Sequence, residues 1–570
     1  MIRAAFRTFA LLCPLLAGSV VALAQSSPQL ETARAAIPAA QAVTARNGMV
    51  VAQESRAARI GADVLARGGN AVDAAVAVGF AMAVTYPRAG NLGGGGFMVI
   101  HRARGEAVAI DYRETAPAAT TRDMFLDATG EPDARKSRDS ALAIGIPGTV
   151  AGLALAHARY GSGRFALADL IAPAIPLASD GILVEDDVAD TLASARDRFA
   201  RWPASARIFL REGQALRPGE RLVQADLAET LRAIANYGPR AFYEGAVADR
   251  IVAAVRAAGG IFTKDDLKNY RPQIRAPVRG SYRGYEILSM PPPSSGGIVL
   301  VEILNILEGY RLDAPSAANL HILIEAMKRA YADRARHLGD PDAVEIPRNL
   351  TSKVYAARLR EGIGERATAS SQLQAPREGA NTTHFSVIDR DGNAVASTYT
   401  LNFSYGLGLV AEGTGVLLNN ELDDFTAKPG TANAFGLVGY DANLPAPGKR
   451  PLSSMSPTIV LKDGKPVLVT GSPGGSRIIS AVLQVIVNSV DFNMPIDRAV
   501  SAPRLHHQWM PDVVDVEPGF APETLTALQA RGHAINPRRP STSANSLAVT
   551  PQGYVGAADP RTRGALAVGY

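Results

Sequence analysis

Asn381-Thr382-Thr383-His384-Phe385-Ser386 is the stretch whose reading decides this chain. It opens His384 to Ile388, which with Ala394 to Thr400 follows the period of two that marks strands. Asp389-Arg390-Asp391-Gly392-Asn393 between them predicts a hairpin. A threonine pair at a strand start is ordinary in itself, because β-branched residues suit strands. An internal threonine hydroxyl is barely acidic, and no base stands beside this one in sequence. A cut before Thr382 changes that: the new terminus carries the hydroxyl and an α-amine of pKa about 7.7–8.0. A threonine can use its own amine as base. Upstream, the stretch from about Ser370 to Asn381 is polar, holds Pro376, Glu378 and Gly379, and reads as exposed chain open to cleavage.

Working outward, the text alternates between helical and strand-like segments. Residues 25–110 open as Ala-rich helical text. Ala71 to Val84 is a nearly unbroken apolar run, which predicts a buried helix. Asn91-Leu92-Gly93-Gly94-Gly95-Gly96 reads as a turn into a strand, paired with Val108 to Tyr112, which ends at Arg113. From about 145 to 275 the pattern is mostly helical, and Thr263-Lys264-Asp265-Asp266 predicts a capping box. Pro291 to Gly297 reads as a rigid loop before a helix over Ile298 to Glu308, and another helix spans about Ala317 to Arg336. Strands are expected at Thr458–Leu461, Pro466–Thr470 and Ser546–Val549, with a helix near Ile478–Val490. The class is α+β, with antiparallel strands and helices in layers.

The bulk properties narrow the function. At 570 residues, 47% hydrophobic and 20% charged, the chain is globular. Arg3 and Arg7, the apolar run Phe9 to Ala22 and Ala22-Leu23-Ala24 have the form of a signal peptide over 1–24. No later stretch is long and apolar enough to span a bilayer. Cys13, the only cysteine, lies in that leader, so the mature chain is expected to hold no disulfide and no cysteine-ligated metal. The net charge of +5 comes from interspersed residues, which argues against a nucleic-acid partner.

Several motifs offer chemistry. Gly474-Gly475 opens a helix, where backbone amides can meet a negative oxygen as an oxyanion hole does. Ser453 and Ser454 offer hydroxyl donors to a carboxylate, and Arg113 could pair with one bidentately. Glu421 and Asp424 supply acids for an ammonium group. The glycine run 93–96 lacks the lysine and Ser/Thr of a phosphate loop. His506-His507 is read as structural or surface rather than metal-binding, and the Gly-x-Ser-x-Gly elbow of serine hydrolases is absent.

Taken together these residues resemble the γ-glutamyltransferase family of N-terminal-nucleophile hydrolases, from about residue 45 to Tyr570. The resemblance is carried by Asn91–Met98, Asp111–Glu114, Thr382–Ser386, Thr398–Asn402, Leu418–Phe425, Arg450–Pro457 and Gly471–Arg477. It implies a four-layer αββα sandwich and self-cleavage between Asn381 and Thr382, giving a large subunit 25–381 and a small subunit 382–570 that remain a heterodimer. By the same resemblance Thr382 is the nucleophile, Thr400 orients it, and Gly474 and Gly475 form the oxyanion hole. Arg113, Ser453 and Ser454 would hold the α-carboxylate of a γ-glutamyl group. Asn402, Glu421 and Asp424 would hold its α-amine, with Thr400 and Gly475 also at the substrate. The implied substrates are glutathione and other γ-glutamyl compounds, with water, amino acids or peptides as acceptors and no metal or organic cofactor. Some relatives carry glutamine at Glu421 and tyrosine at Phe435, the latter in a lid-like segment 428–443, so closure here is expected to be looser. A glutaryl (cephalosporin) acylase and an uncut, inactive exported solute-binding relative are the rival readings.

Overall fold

The structure, a computed structural model, describes residues 37–370 and 382–570. The leader, Cys13, Asn381 and nearly all of the expected exposed stretch before Thr382 lie outside the described residues.

Two seven-stranded antiparallel sheets form the centre. One runs Leu566–Gly569, Met49–Ala52, Thr383–Ile388, Ala394–Thr400, Gly95–His101, Ala107–Tyr112 and Gln273–Arg275. The other runs Ala42–Ala45, Gly553–Ala557, Ser546–Thr550, Lys465–Thr470, Thr458–Lys462, Tyr285–Ser289 and Val278–Tyr282. The sheets pack face to face, and each is covered outside by helices. Ser55–Ala66, Ala71–Thr85 and Thr149–Tyr160 cover the first sheet; Gly296–Leu307 and Ile496–Ser501 pack on the second, with Ala317–His337 and Ile478–Val490 in the same helical layer. This is the expected αββα layering, which lets each sheet bury both faces.

The hairpin forms as its pattern predicts. Thr383 pairs with Tyr399 and Ile388 with Ala394. Asp389 organises the turn: its carboxylate accepts from the amides of Asp391 and Asn393 and, through Oδ2, from the Ala71 amide at 2.9 Å. One turn acid thus also satisfies an otherwise orphan donor at the start of the Ala71–Thr85 helix, which is buried along its whole length.

One expectation is corrected. The Ala-rich text before residue 53 is not helical where it is described: Ala42–Ala45 and Met49–Ala52 are strands. Met49–Ala52 is fully buried between two neighbours, so it shows no polar alternation and reads as generic apolar text.

The glycine run at 93–96 is a packing device. A Cβ on Gly94 would lie 2.1 Å from the Thr400 carbonyl oxygen, so only glycine lets this turn pass under the end of the neighbouring strand.

Candidate active site

Thr382 stands one residue before its strand, in the middle of the first sheet, and is nearly buried. Extending the hairpin register by one residue sets it opposite Thr400, the last residue of the adjoining strand. Both line a pocket of about 320 Å³ with Arg113, Arg334, Asn402, Glu421, Asp424, Phe435, Ser453, Ser454 and Gly475. Of the residues expected at the nucleophile, oxyanion and γ-glutamyl positions, only Gly474 is not among those lining it, and its neighbour Gly475 is.

Thr400 Oγ1 accepts from the Asn402 amide at 2.9 Å, and the Asn402 side chain donates to Asn420 O at 2.9 Å. The Gly474–Gly475 turn leads into the Ile478–Val490 helix through a short 3₁₀ segment. Gly474 has φ +137°, a conformation that side-chain-bearing residues rarely adopt, and a Cβ there would also meet Thr542 Cγ2 at 2.7 Å. Tyr331, buried on the Ala317–His337 helix, braces the turn by donating its hydroxyl to Ser476 O.

Arg113 is fully buried. Its guanidinium donates to Glu421 and Asp424, and its Nε to Pro451 O at 3.1 Å. The cationic and anionic ends foreseen from the sequence therefore satisfy one another. Glu114 sits at the same guanidinium, 3.9 Å away. Both of its oxygens, and Glu421 Oε2, are buried without a guanidinium or hydroxyl donor. Burial pushes the carboxyls of Glu114, Glu421 and Asp424 up despite Arg113; repulsion from Asp424 raises Glu114 further, and repulsion from Glu114 and Asp424 raises Glu421 further. Three acids crowd the Arg113 guanidinium, which gathers carboxyl oxygens where an ammonium would sit.

The serine pair is held by the loop that the sequence marks as rigid. Ser295 donates its amide and hydroxyl to Ser453 O at 2.8 and 2.7 Å, and Ser294 Oγ donates to Met455 O at 2.6 Å. Phe435 stacks on Phe403 with centroids 5.2 Å apart, so the lid-like segment closes its end of the pocket with an aromatic pair.

Sequence reading missed Glu114, Tyr331 and Arg334. Glu114 lies in a stretch quoted for the resemblance, but Tyr331 and Arg334 come from a helix more than a hundred residues from Ser476 and Ser454, which they hold. His506 and His507 are structural as expected, but buried rather than at the surface: His506 bonds Ser480 Oγ at 2.8 Å and His507 bonds Asp512 at 3.2 Å. A separate cluster, His321, Glu325 and His533, has the spacing of a metal site. Its imidazoles bond each other at 2.7 Å and Glu325 is engaged by Lys328 and Arg329, so it is a satisfied polar network.

Two facing antiparallel sheets between helical layers, with a threonine at the head of a central strand, define a sandwich of the N-terminal-nucleophile hydrolase type. Residues 57–569 match the family model described as Gamma-glutamyltranspeptidase, and the chain belongs to that family. A glutathione hydrolase proenzyme of Escherichia coli K12 is 52% identical over 539 residues, 93% of each chain. A cephalosporin acylase structure from Bacillus halodurans superposes with TM-score 0.82 at 29% identity, covering 96% of this chain and 98% of that one. The Helicobacter pylori gamma-glutamyltranspeptidase structure is 46% identical, with TM-score 0.55, over 56% of this chain and 93% of that one.

Proposed function

We propose that this chain is a self-processing γ-glutamyltransferase and glutathione hydrolase, and that its pocket works as follows. In maturation the Thr382 hydroxyl attacks the Asn381 carbonyl carbon. The C–N bond to Thr382 breaks, its nitrogen takes the proton, and water hydrolyses the resulting ester to leave an Asn381 carboxylate and a free Thr382 amine. The pieces 25–381 and 382–570 stay together as a heterodimer. In turnover the same hydroxyl, deprotonated by that amine, attacks the substrate γ-carbonyl. The tetrahedral oxyanion faces the Gly474–Gly475 amides, and its collapse expels the protonated amine of the leaving group. A γ-glutamyl ester on Thr382 remains until water or an acceptor amine resolves it.

The observation that carries this reading is the Arg113 pairing beside the two threonines. A substrate's α-carboxylate and α-ammonium replace the internal pairing of Arg113 with Glu421 and Asp424: carboxylate with Arg113, Ser453 and Ser454, ammonium with Asn402, Glu421 and Asp424. A glutaryl group brings only the carboxylate and strands the acids. The likeness to a cephalosporin acylase keeps that second reading in play, and turnover of γ-glutamyl against glutaryl anilides separates the two.

The same proposal takes 1–24 as a leader for export to the periplasm or medium; among the described residues no helix is long and apolar enough to cross a membrane. A denaturing gel tests the whole scheme. Two bands of the lengths above, replaced by one in Thr382→Ala, are expected; a single band from active wild type refutes it.

A further inference from the structure

Arg334 is the second buried guanidinium on the pocket wall, and it comes from the Ala317–His337 helix. Its Nη2 donates to Ser454 Oγ at 3.2 Å and its Nε to Ser295 Oγ at 2.9 Å. Ser295 in turn hands its own proton to Ser453 O. One guanidinium thus grips both serines, Ser454 directly and Ser453 through a relay.

The direction of these bonds matters. A guanidinium has donors only, whereas a hydroxyl has one proton and two lone pairs. Ser454 Oγ spends a lone pair on Arg334, and Ser453 Oγ spends one on the Met455 amide at 3.1 Å. Among the described residues neither hydroxyl gives its proton to a protein acceptor, so both protons remain for an oxyanion in the pocket. Burial pulls Arg334 down to about 10, which leaves it charged at neutral pH. Arg113, by contrast, is already taken by Glu421 and Asp424.

We infer that Arg334 is a positioning and specificity-determining residue for the substrate's α-carboxylate: it fixes Ser454 and Ser453 as donors and sets a second positive charge behind them. This rests on the γ-glutamyl reading above. A residue that merely braced the fold would treat all substrates alike, whereas this one must discriminate by the carboxylate.

The test compares γ-glutamyl-4-nitroanilide with 4-aminobutyryl-4-nitroanilide, which keeps the amine and lacks the carboxylate, in mature wild type, Arg334→Gln and Arg334→Lys. Wild type is expected to prefer the γ-glutamyl substrate. In Arg334→Gln that preference, taken as a ratio of kcat/KM, should fall about 10–100-fold, the range for a bond to a charged group, with the loss mainly in KM. Lysine keeps the charge but cannot fork to two serines, so its preference should lie between. Equal losses on both substrates, or an undiminished preference, overturn the assignment. If Arg334→Gln is recovered only uncut or insoluble, the Arg334→Lys ratio decides by the same criterion. A wild type blind to the carboxylate would instead refute the clamp reading itself, so the two failures are distinct.

Discussion

Glu421→Gln is the sharpest probe of the ammonium end. Glu421 is 1% exposed; one oxygen pairs with Arg113, and Oε2 has no guanidinium or hydroxyl donor. That oxygen is the natural seat for the substrate's ammonium. Replacing the carboxylate removes a charge-assisted bond, worth about 1.5–3 kcal/mol when made to a charged group. At about 1.4 kcal/mol per decade this predicts a 10–100-fold fall in kcat/KM for γ-glutamyl-4-nitroanilide. Glutaryl-4-nitroanilide has no amine to lose, and it meets a pocket with one fewer buried acid beside its carboxylate. Its kcat/KM should hold or rise. Steady-state kinetics with both anilides on the same preparation reads the effect as a ratio, which cancels differences in active fraction. If the two substrates decline in parallel, or the ratio stays within twofold of wild type, Glu421 does not hold the ammonium.

Gly474→Ala puts a Cβ on a backbone at φ +137° and 2.7 Å from Thr542. It should displace the turn and lower kcat about 10²-fold, in line with loss of an oxyanion donor; near-normal kcat would remove the turn from the mechanism. Phe435→Tyr adds a hydroxyl to the ring stacked on Phe403 and should lower the hydrolysis-to-transfer ratio, measured with and without an acceptor dipeptide. An unchanged ratio sinks the looser-lid account. Glu302 is buried beside Asp333, and burial holds its carboxyl well above the ordinary range. A raised folded pKa means stability fully present below the unfolded value and lost as pH rises toward the folded one. Relative to Glu302→Gln, wild type should therefore lose about 1.4 kcal/mol per pH unit above about 4.5. Parallel denaturation curves from pH 5 to 8 would contradict this.

The hairpin at 383–400, the Ile478–Val490 helix and the capping box at Thr263 were legible because each is written locally: period two around a turn, an apolar run after glycines, a cap three residues from its acid. Thr382, Arg113 and the serine pair were legible as types of chemistry, and resemblance supplied their roles. The mutual pairing of Arg113 with Glu421 and Asp424 was not, because contacts across some 300 residues leave no periodic trace. Arg334 was hidden more thoroughly, since within its helix it looks like one more arginine in Lys328-Arg329-Ala330-Tyr331-Ala332-Asp333-Arg334. Met49–Ala52 went unread for the opposite reason: a strand buried on both faces has no polar side to announce it.

In the first sheet, Met49–Ala52 lies between Leu566–Gly569 and Thr383–Ile388, and Ala394–Thr400 is bordered by Gly95–His101; in the second, Ala42–Ala45 and Tyr285–Ser289 flank a block from beyond residue 382. Five ladders therefore join chain from the two sides of the processing point. Once that bond is cut, the halves are interleaved like the fingers of two hands, and neither owns a complete sheet. Dilution offers them no partial separation, because parting would strip the central strands of their partners. The processed enzyme should then melt as one cooperative body, and because unfolding releases two polypeptides its melting temperature should rise with protein concentration.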